Sequence, residues 1–282
     1  MTLEFLLCLQ FSLAAPDTST AFADALFRQE DYFRAISEYK RVLFYNGNDS
    51  IKNYCLIQIA RSYRKSFKYE SAIRYSATLL NRAELSPVLR RQGYLNLGLG
   101  YLESKMPQLA LPYFQAAVSN DSTVFPLLCM GLTELEKQNW NGAANWFRKA
   151  ASTRLDSLAR AQIMGFSNST EKLKYQNWKS PFLASSLSFI LPGSGQFYSG
   201  HAYDGLQAFL FTMSFAFATY ATYKYEHAFN EHLRWTYAGI SVTAIFHAAN
   251  VIGAHRTARY RNWKKRSDFA KSVHDAVMLY EP

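Results

Sequence analysis

The chain has 282 residues, of which 49% are hydrophobic and 18% charged, with a net charge of +10. This composition excludes wholesale disorder, and three cysteines are too few for a disulfide scaffold. Scarce Gly and Pro (13 and 8) beside 21 Phe and 19 Tyr favour helices over a turn-rich all-β fold, and the length suits about two domains.

At the start of the chain, residues 5–13 (FLLCLQFSL) form an apolar run followed by Ala14, Ala15 and Pro16. Nine residues cannot span a bilayer but suit the core of a signal peptide, with Ser12 and Ala14 as small residues before a cleavage point. Residues 1–15 are therefore expected to direct export, although MTLE supplies no basic residue. Cys8 lies in the wrong context for a lipoprotein site.

Residues 16–166 carry an internal repeat. The strings DYFRAISEYKRV, KYESAIRYSATL, MPQLALPYFQAAV and NWNGAANWFRKAA read alike. Small residues lead each repeat at Ala23, Ala60, Gly98 and Gly131. Ala35, Ala72, Ala110 and Ala143 follow twelve residues later, and Val42, Leu79, Ala117 and Ala150 seven beyond those. Gly and Ala make up 47 of the 282 residues, so about two of these twelve positions should hold them by chance; ten do. The repeats are spaced by 37, 38 and 33 residues. Small residues at fixed points let antiparallel helices approach, and Tyr39, Phe114 and Phe147 fill the gaps. The pattern resembles the tetratricopeptide repeat family, a helix–turn–helix unit. It departs from that family in lacking the repeat-ending proline, in Ser76 at an aromatic position, and in Pro107 where the second helix opens with an aromatic.

The resemblance implies an all-α solenoid of four helix–turn–helix repeats, with residues 155–166 as a capping helix and 167–180 as a linker. Such arrays bind segments of other proteins on the surface of their first helices. The register places Leu95, Leu99, Leu102, Leu128, Leu132 and Leu135 there, with Arg61, Arg64 and Lys65 toward its N-terminal end. The expected ligand is an acidic amphipathic peptide, with the two arginines as replaceable surface groups; alternatively, the leucines pack between neighbouring helices. Cys55 and Cys129 fall two repeats apart, beyond disulfide reach, and read as buried thiols.

Composition changes at Pro181. Residues 205–223 contain no charged residue, and residues 235–254 no Asp, Glu, Lys or Arg. Each is long enough to cross a bilayer, and Tyr220, Tyr223, Tyr225, Trp235 and Tyr237 flank the connection as interfacial aromatics do. Before them, residues 182–191 make half a span, broken by Pro192, Gly193 and Gly195. This segment either re-enters or crosses as a broken helix, giving a two- or three-helix transmembrane domain over 181–258. LPGSGQFYSG, followed by Asp204-Gly205 and a basic exit, resembles the P-G-x-G-Q-x-Y-x-G pattern of small bacterial membrane domains. That resemblance implies an envelope protein and no particular activity.

The broken segment exposes backbone groups that need partners. Pro192, Gly193, Ser194, Gly195 and Gln196 are expected to face His247 and Asn250, which share one side of the last span. Residues 255–271 carry seven basic residues against one Asp. Arg256, Arg259, Arg261, Lys264, Lys265 and Arg266 thus predict a cytoplasmic tail over 259–282 that meets anionic lipid headgroups. A signal-like start and a basic exit together predict a multi-pass protein of the bacterial inner membrane, with a periplasmic solenoid and a cytoplasmic C-terminus. Lys172, Lys174 and Lys179 argue for the opposite side.

No catalytic pattern emerges: Gly193-Ser194-Gly195 lacks the full nucleophile elbow, and neither a phosphate loop nor an HExxH motif is present. Glu226-His227 and Glu231-His232 are five apart, off one helical face, and are read as a solvated loop over 224–234, not a metal site. No cofactor and no nucleic-acid partner is expected. The sequence reads as a membrane-anchored adaptor that holds a protein partner at the bacterial envelope. The other reading is an accessory factor in membrane-protein insertion or transport, working through the PGSG segment.

Overall fold

A computed structural model describes residues 19–118 and 124–281. The signal-peptide-like segment 1–15, with Cys8, lies outside them. Among the described residues the regular structure is entirely helical: α1 (Ala21–Arg28), α2 (Tyr32–Tyr45), α3 (Asp49–Lys65), α4 (Tyr69–Leu80), α5 (Pro87–Glu103), α6 (Pro107–Ala116), α7 (Val124–Glu136), α8 (Trp140–Ala151), α9 (Ser157–Lys174), α10 (Pro181–Ile190), α11 (Ser194–Tyr198), α12 (Ala202–Ala228) and α13 (Arg234–Met278). The chain divides into two compact units, Met1–Lys174 with Val273–Pro282, and Tyr175–Ser272.

In the first unit each of α1 to α8 packs on the next, and α5 also touches α3 and α7. The helix pairs α1–α2, α3–α4, α5–α6 and α7–α8 turn at Glu30, Phe67, Lys105 and Gln138, all in the left-handed region with φ of 61–62°. At each turn the following N–H bonds a carbonyl five residues back: Asp31 to Leu26, Lys68 to Tyr63, Met106 to Tyr101, and Asn139 to Glu134. This closes the helix end without glycine, although a left-handed non-glycine residue costs roughly 1–2 kcal/mol. These turns share the spacing of the small-residue repeat, so sequence and backbone repeat together.

All twelve repeat positions are buried. They work as intended by size: a Cβ on Gly98 would stand 2.6 Å from the Phe114 ring, and one on Gly131 2.4 Å from that of Phe147. Tyr39, Phe114 and Phe147 are fully buried. Ser76 occupies the corresponding place in the second pair; it too is fully buried, and its hydroxyl finds no hydrogen-bond partner among the described residues. Cys55 and Cys129 are free, buried thiols. Burial pushes the Cys55 thiol up to about 11.

The linker expected at 167–180 is mostly helix. α9 runs to Lys174 because Ser167, Thr170 and Leu173 bury a face, with the Ser167 hydroxyl donating to the Ala144 carbonyl at 3.0 Å. Only residues 175–180 connect it to α10.

The second unit begins with α10, whose ten residues rise about 15 Å, half a hydrocarbon thickness. α13 is long and apolar enough to cross a membrane, with an 18-residue stretch of mean hydropathy 1.3. The expected loop at 224–234 shrinks to 229–233. Glu226 is buried at the end of α12, and its carboxylate accepts from the Trp235 and Thr236 N–H groups (3.0 Å each) and the Thr236 hydroxyl (2.6 Å). It therefore caps the start of α13. Polar residues lie inside this unit (Ser188, Gln196, Thr212, Glu226, Asn250), while Phe182, Phe189, Ile190, Phe211, Phe217, Ile245 and Ile252 are exposed.

Gly98→Ala should destabilise the first unit by about 1–3 kcal/mol, because the buried Phe114 ring must shift. Gly165→Ala, where a Cβ meets nothing within 4 Å, should be neutral or stabilising by up to about 1 kcal/mol. Urea unfolding of the two variants in detergent checks the contrast.

Candidate functional site

Two polar sites stand out, one in each unit. In the second unit, the break between α10 and α11 releases helix-end carbonyls and N–H groups that need partners. Leu191 is extended, and Gly193 is left-handed at φ 85°. Asn250 on α13 satisfies both ends: its Nδ2 donates to the Ser188 carbonyl (3.1 Å), and its Oδ1 accepts from the Gly193 N–H (3.1 Å). Gln196 Nε2 donates to Asn250 Oδ1 (3.1 Å), while the Ser188 hydroxyl donates to Gln196 Oε1 (2.9 Å) and accepts from the Gly195 N–H (2.9 Å). His247 Nε2 lies 3.0 Å from the Phe189 carbonyl.

Five of the seven residues expected here, Gly193, Gly195, Gln196, His247 and Asn250, thus meet around one break. Ser194 is directed elsewhere, its hydroxyl donating to the Leu191 carbonyl (2.7 Å), and Pro192 forms the turn. Ser188 was missed; its place eight residues before Gln196 was visible, but nothing marked its hydroxyl. The glycines act by size as well as by flexibility. A Cβ on Gly195 would sit 1.9 Å from the Ala184 carbonyl oxygen, and one on Gly193 2.0 Å from that of Gly205.

The six basic residues expected at lipid headgroups divide. Arg256, Arg259, Lys264 and Lys265 are exposed. Arg261 instead donates to the Ser199 carbonyl (2.9 Å), and the Arg266 guanidinium lies 4.7 Å over the Trp178 ring. Those two brace the unit internally.

The site in the first unit centres on Arg64, expected on the surface but only 2% exposed. Its guanidinium pairs with Glu103 on α5 (3.0 Å), with Asn96 Oδ1 (3.4 Å) and with Glu281. Lys65 also reaches Glu281, at 3.0 Å. Burial alone would raise the Glu281 carboxyl, but Arg64 and Lys65 outweigh it and hold it below its ordinary value. Arg61 lies against the Phe27 ring (5.6 Å) and lines a small pocket with Gln92, Leu95, Asn96, Leu99, Phe125 and Glu281.

The six leucines of the expected surface are at most 4% exposed, and Leu95 and Leu99 line the same small pocket as Glu281. They form core and not a bare apolar face. The expected tail over 259–282 is helical to Met278, and Val273 and Val277 are buried. The next two residues reach different helices: the Tyr280 hydroxyl donates to Gln162 on α9 (3.0 Å), while Glu281 pairs with Arg64 on α3. Glu103, Val273, Val277 and Glu281 were not foreseen, although Phe269, Val273 and Val277 recur every four residues in the sequence.

Val273–Pro282 belongs to the same compact unit as Met1–Lys174. In comparisons with known proteins, no family model and no curated protein matches the chain.

Arg64→Met should cost about 3–5 kcal/mol, since it strands Glu103 and Glu281 in a buried setting. Asn250→Leu removes three side-chain hydrogen bonds and should cost about 2 kcal/mol. Gly195→Ala should be worse, since backbone must move. Thermal unfolding in detergent, read by circular dichroism, orders the three; an unchanged midpoint for Asn250→Leu would show that the break does not need its clasp.

Proposed function

We propose that the chain is a membrane-anchored adaptor of the bacterial inner membrane. A tetratricopeptide-like solenoid formed by α1 to α9 holds a protein partner on the cytoplasmic side. α12 and α13 cross as a hairpin, and α10–α11 enters and turns back. The observation that carries the reading is Glu281 seated on Arg64 and Lys65: the layer of first helices already accepts an acidic segment.

The same contact supports a choice of topology. Exposed Arg256, Arg259, Lys264 and Lys265 favour the cytoplasm for the exit of α13. The solenoid shares that side, where Lys172, Lys174 and Lys179 add to the basic charge. The apolar exterior and polar interior of the second unit suit a lipid surround. Re-entry suits α10, which is half a span long and whose freed carbonyls are met by Asn250 and His247. A transport role through the PGSG segment is less well supported, because Ser188, Gln196 and Asn250 are engaged with one another and with the local backbone.

Protease added to intact spheroplasts should spare both the repeats and an epitope after residue 282, and should digest both in inverted vesicles. Digestion of the repeats in spheroplasts would place them outside and sink this topology. A photo-crosslinker at Gln92, beside Glu281, should yield a discrete protein adduct in cells; adducts to lipid alone would oppose the adaptor role.

A further inference from the structure

The groove that would receive a partner is filled by the chain's own residues 273–281. Val273 and Val277 are buried, Tyr280 bonds Gln162 on α9, and Glu281 pairs with Arg64 and Lys65 on α3. Leu279, between them, is 82% exposed, so the segment is held through alternate contacts on one side. Its chemistry is specific: apolar residues four apart, then an aromatic hydroxyl, then a carboxylate directed at two cations.

We infer that residues 273–281 are an internal ligand of the groove, and that the partner is a peptide of the same chemistry, an apolar helical turn followed by an aromatic and an acidic residue. This rests on the adaptor reading and adds to it that partner and internal segment exclude one another. The buried Arg64 carries the argument. A guanidinium out of water must keep carboxylate partners, and Glu103 supplies one within the array while the second comes from outside it. An incoming peptide therefore has to supply a carboxylate where Glu281 leaves. Apparent affinity falls by the fraction of time the groove stands open, so a segment docked 90–99% of the time weakens a competitor by about 10- to 100-fold.

The test uses the full chain in detergent and a fluorescent peptide with the sequence of residues 273–281. The double variant Val277→Asp, Glu281→Gln should release the segment and bind the peptide at least about 10-fold more tightly than the wild type. A peptide with Gln at the position of Glu281 should lose that gain. In a Cys8→Ser background, Gln162→Cys with Tyr280→Cys, joined by a short bismaleimide, should lock the segment in place and abolish binding. This arm decides alone if the release variant does not fold. Equal peptide binding by released and wild-type chains, or by locked and unlocked ones, would overturn the internal ligand and leave the adaptor reading standing. Failure of the folded release variant to bind the peptide at all would remove both.

Discussion

Helices approach closely only where side chains vanish, and both units are organised around such points. In the first, Gly98 and Gly131 leave room for the rings of Phe114 and Phe147, which fixes how each second helix lies on its first. In the second, Gly193 touches Gly205 and Gly195 touches Ala184, backbone against backbone. That closeness brings the freed ends of α10 and α11 within reach of one asparagine. Without it the hydrogen bonds of Asn250 could not all form, and the break would leave polar backbone unpaired at several kcal/mol per group in an apolar setting.

The two polar centres answer the same problem with different chemistry. Asn250 is neutral and serves both a donor and two acceptor needs, so it can close a helix break without bringing charge into the unit. Arg64 is charged and buried, and must be matched by carboxylates drawn from two separate stretches of chain. A neutral clasp stabilises one arrangement. A charged one makes the surrounding helices depend on whichever carboxylate is present.

The repeat was legible because it rests on size at fixed spacing, which survives in sequence whatever the local propensity; Ala35, Ala72, Ala110 and Ala143 are all fully buried. His247 and Asn250 were legible because polar residues in an apolar run, three apart, must share a face and a purpose. The groove was read less well. Leu95 and Leu128 carry the same register whether they line a surface or a core, and periodicity alone does not separate the two. The return of residues 273–281 was hidden by the seven basic residues before it, which read as a solvated tail and masked the recurrence of Phe269, Val273 and Val277. Likewise Glu226 looked like loop charge, because a cap is defined by the N–H groups it meets and not by its neighbours in sequence.

Ser76 gives the array an uneven grain. The other three pairs are each filled by a ring, whereas the second holds a hydroxyl with no partner among the described residues, and Asn53 Oδ1 on α3 is likewise unmatched. Each such group costs about 1–3 kcal/mol, so the α3–α4 pair is where the array would open first on the timescale of amide exchange. It is also the pair that carries Arg64. Glu281 is thus seated on the least well filled pair. On the proposal above, an occupant that replaces Glu281 on Arg64 would tighten this pair as it binds, at a cost in conformational entropy.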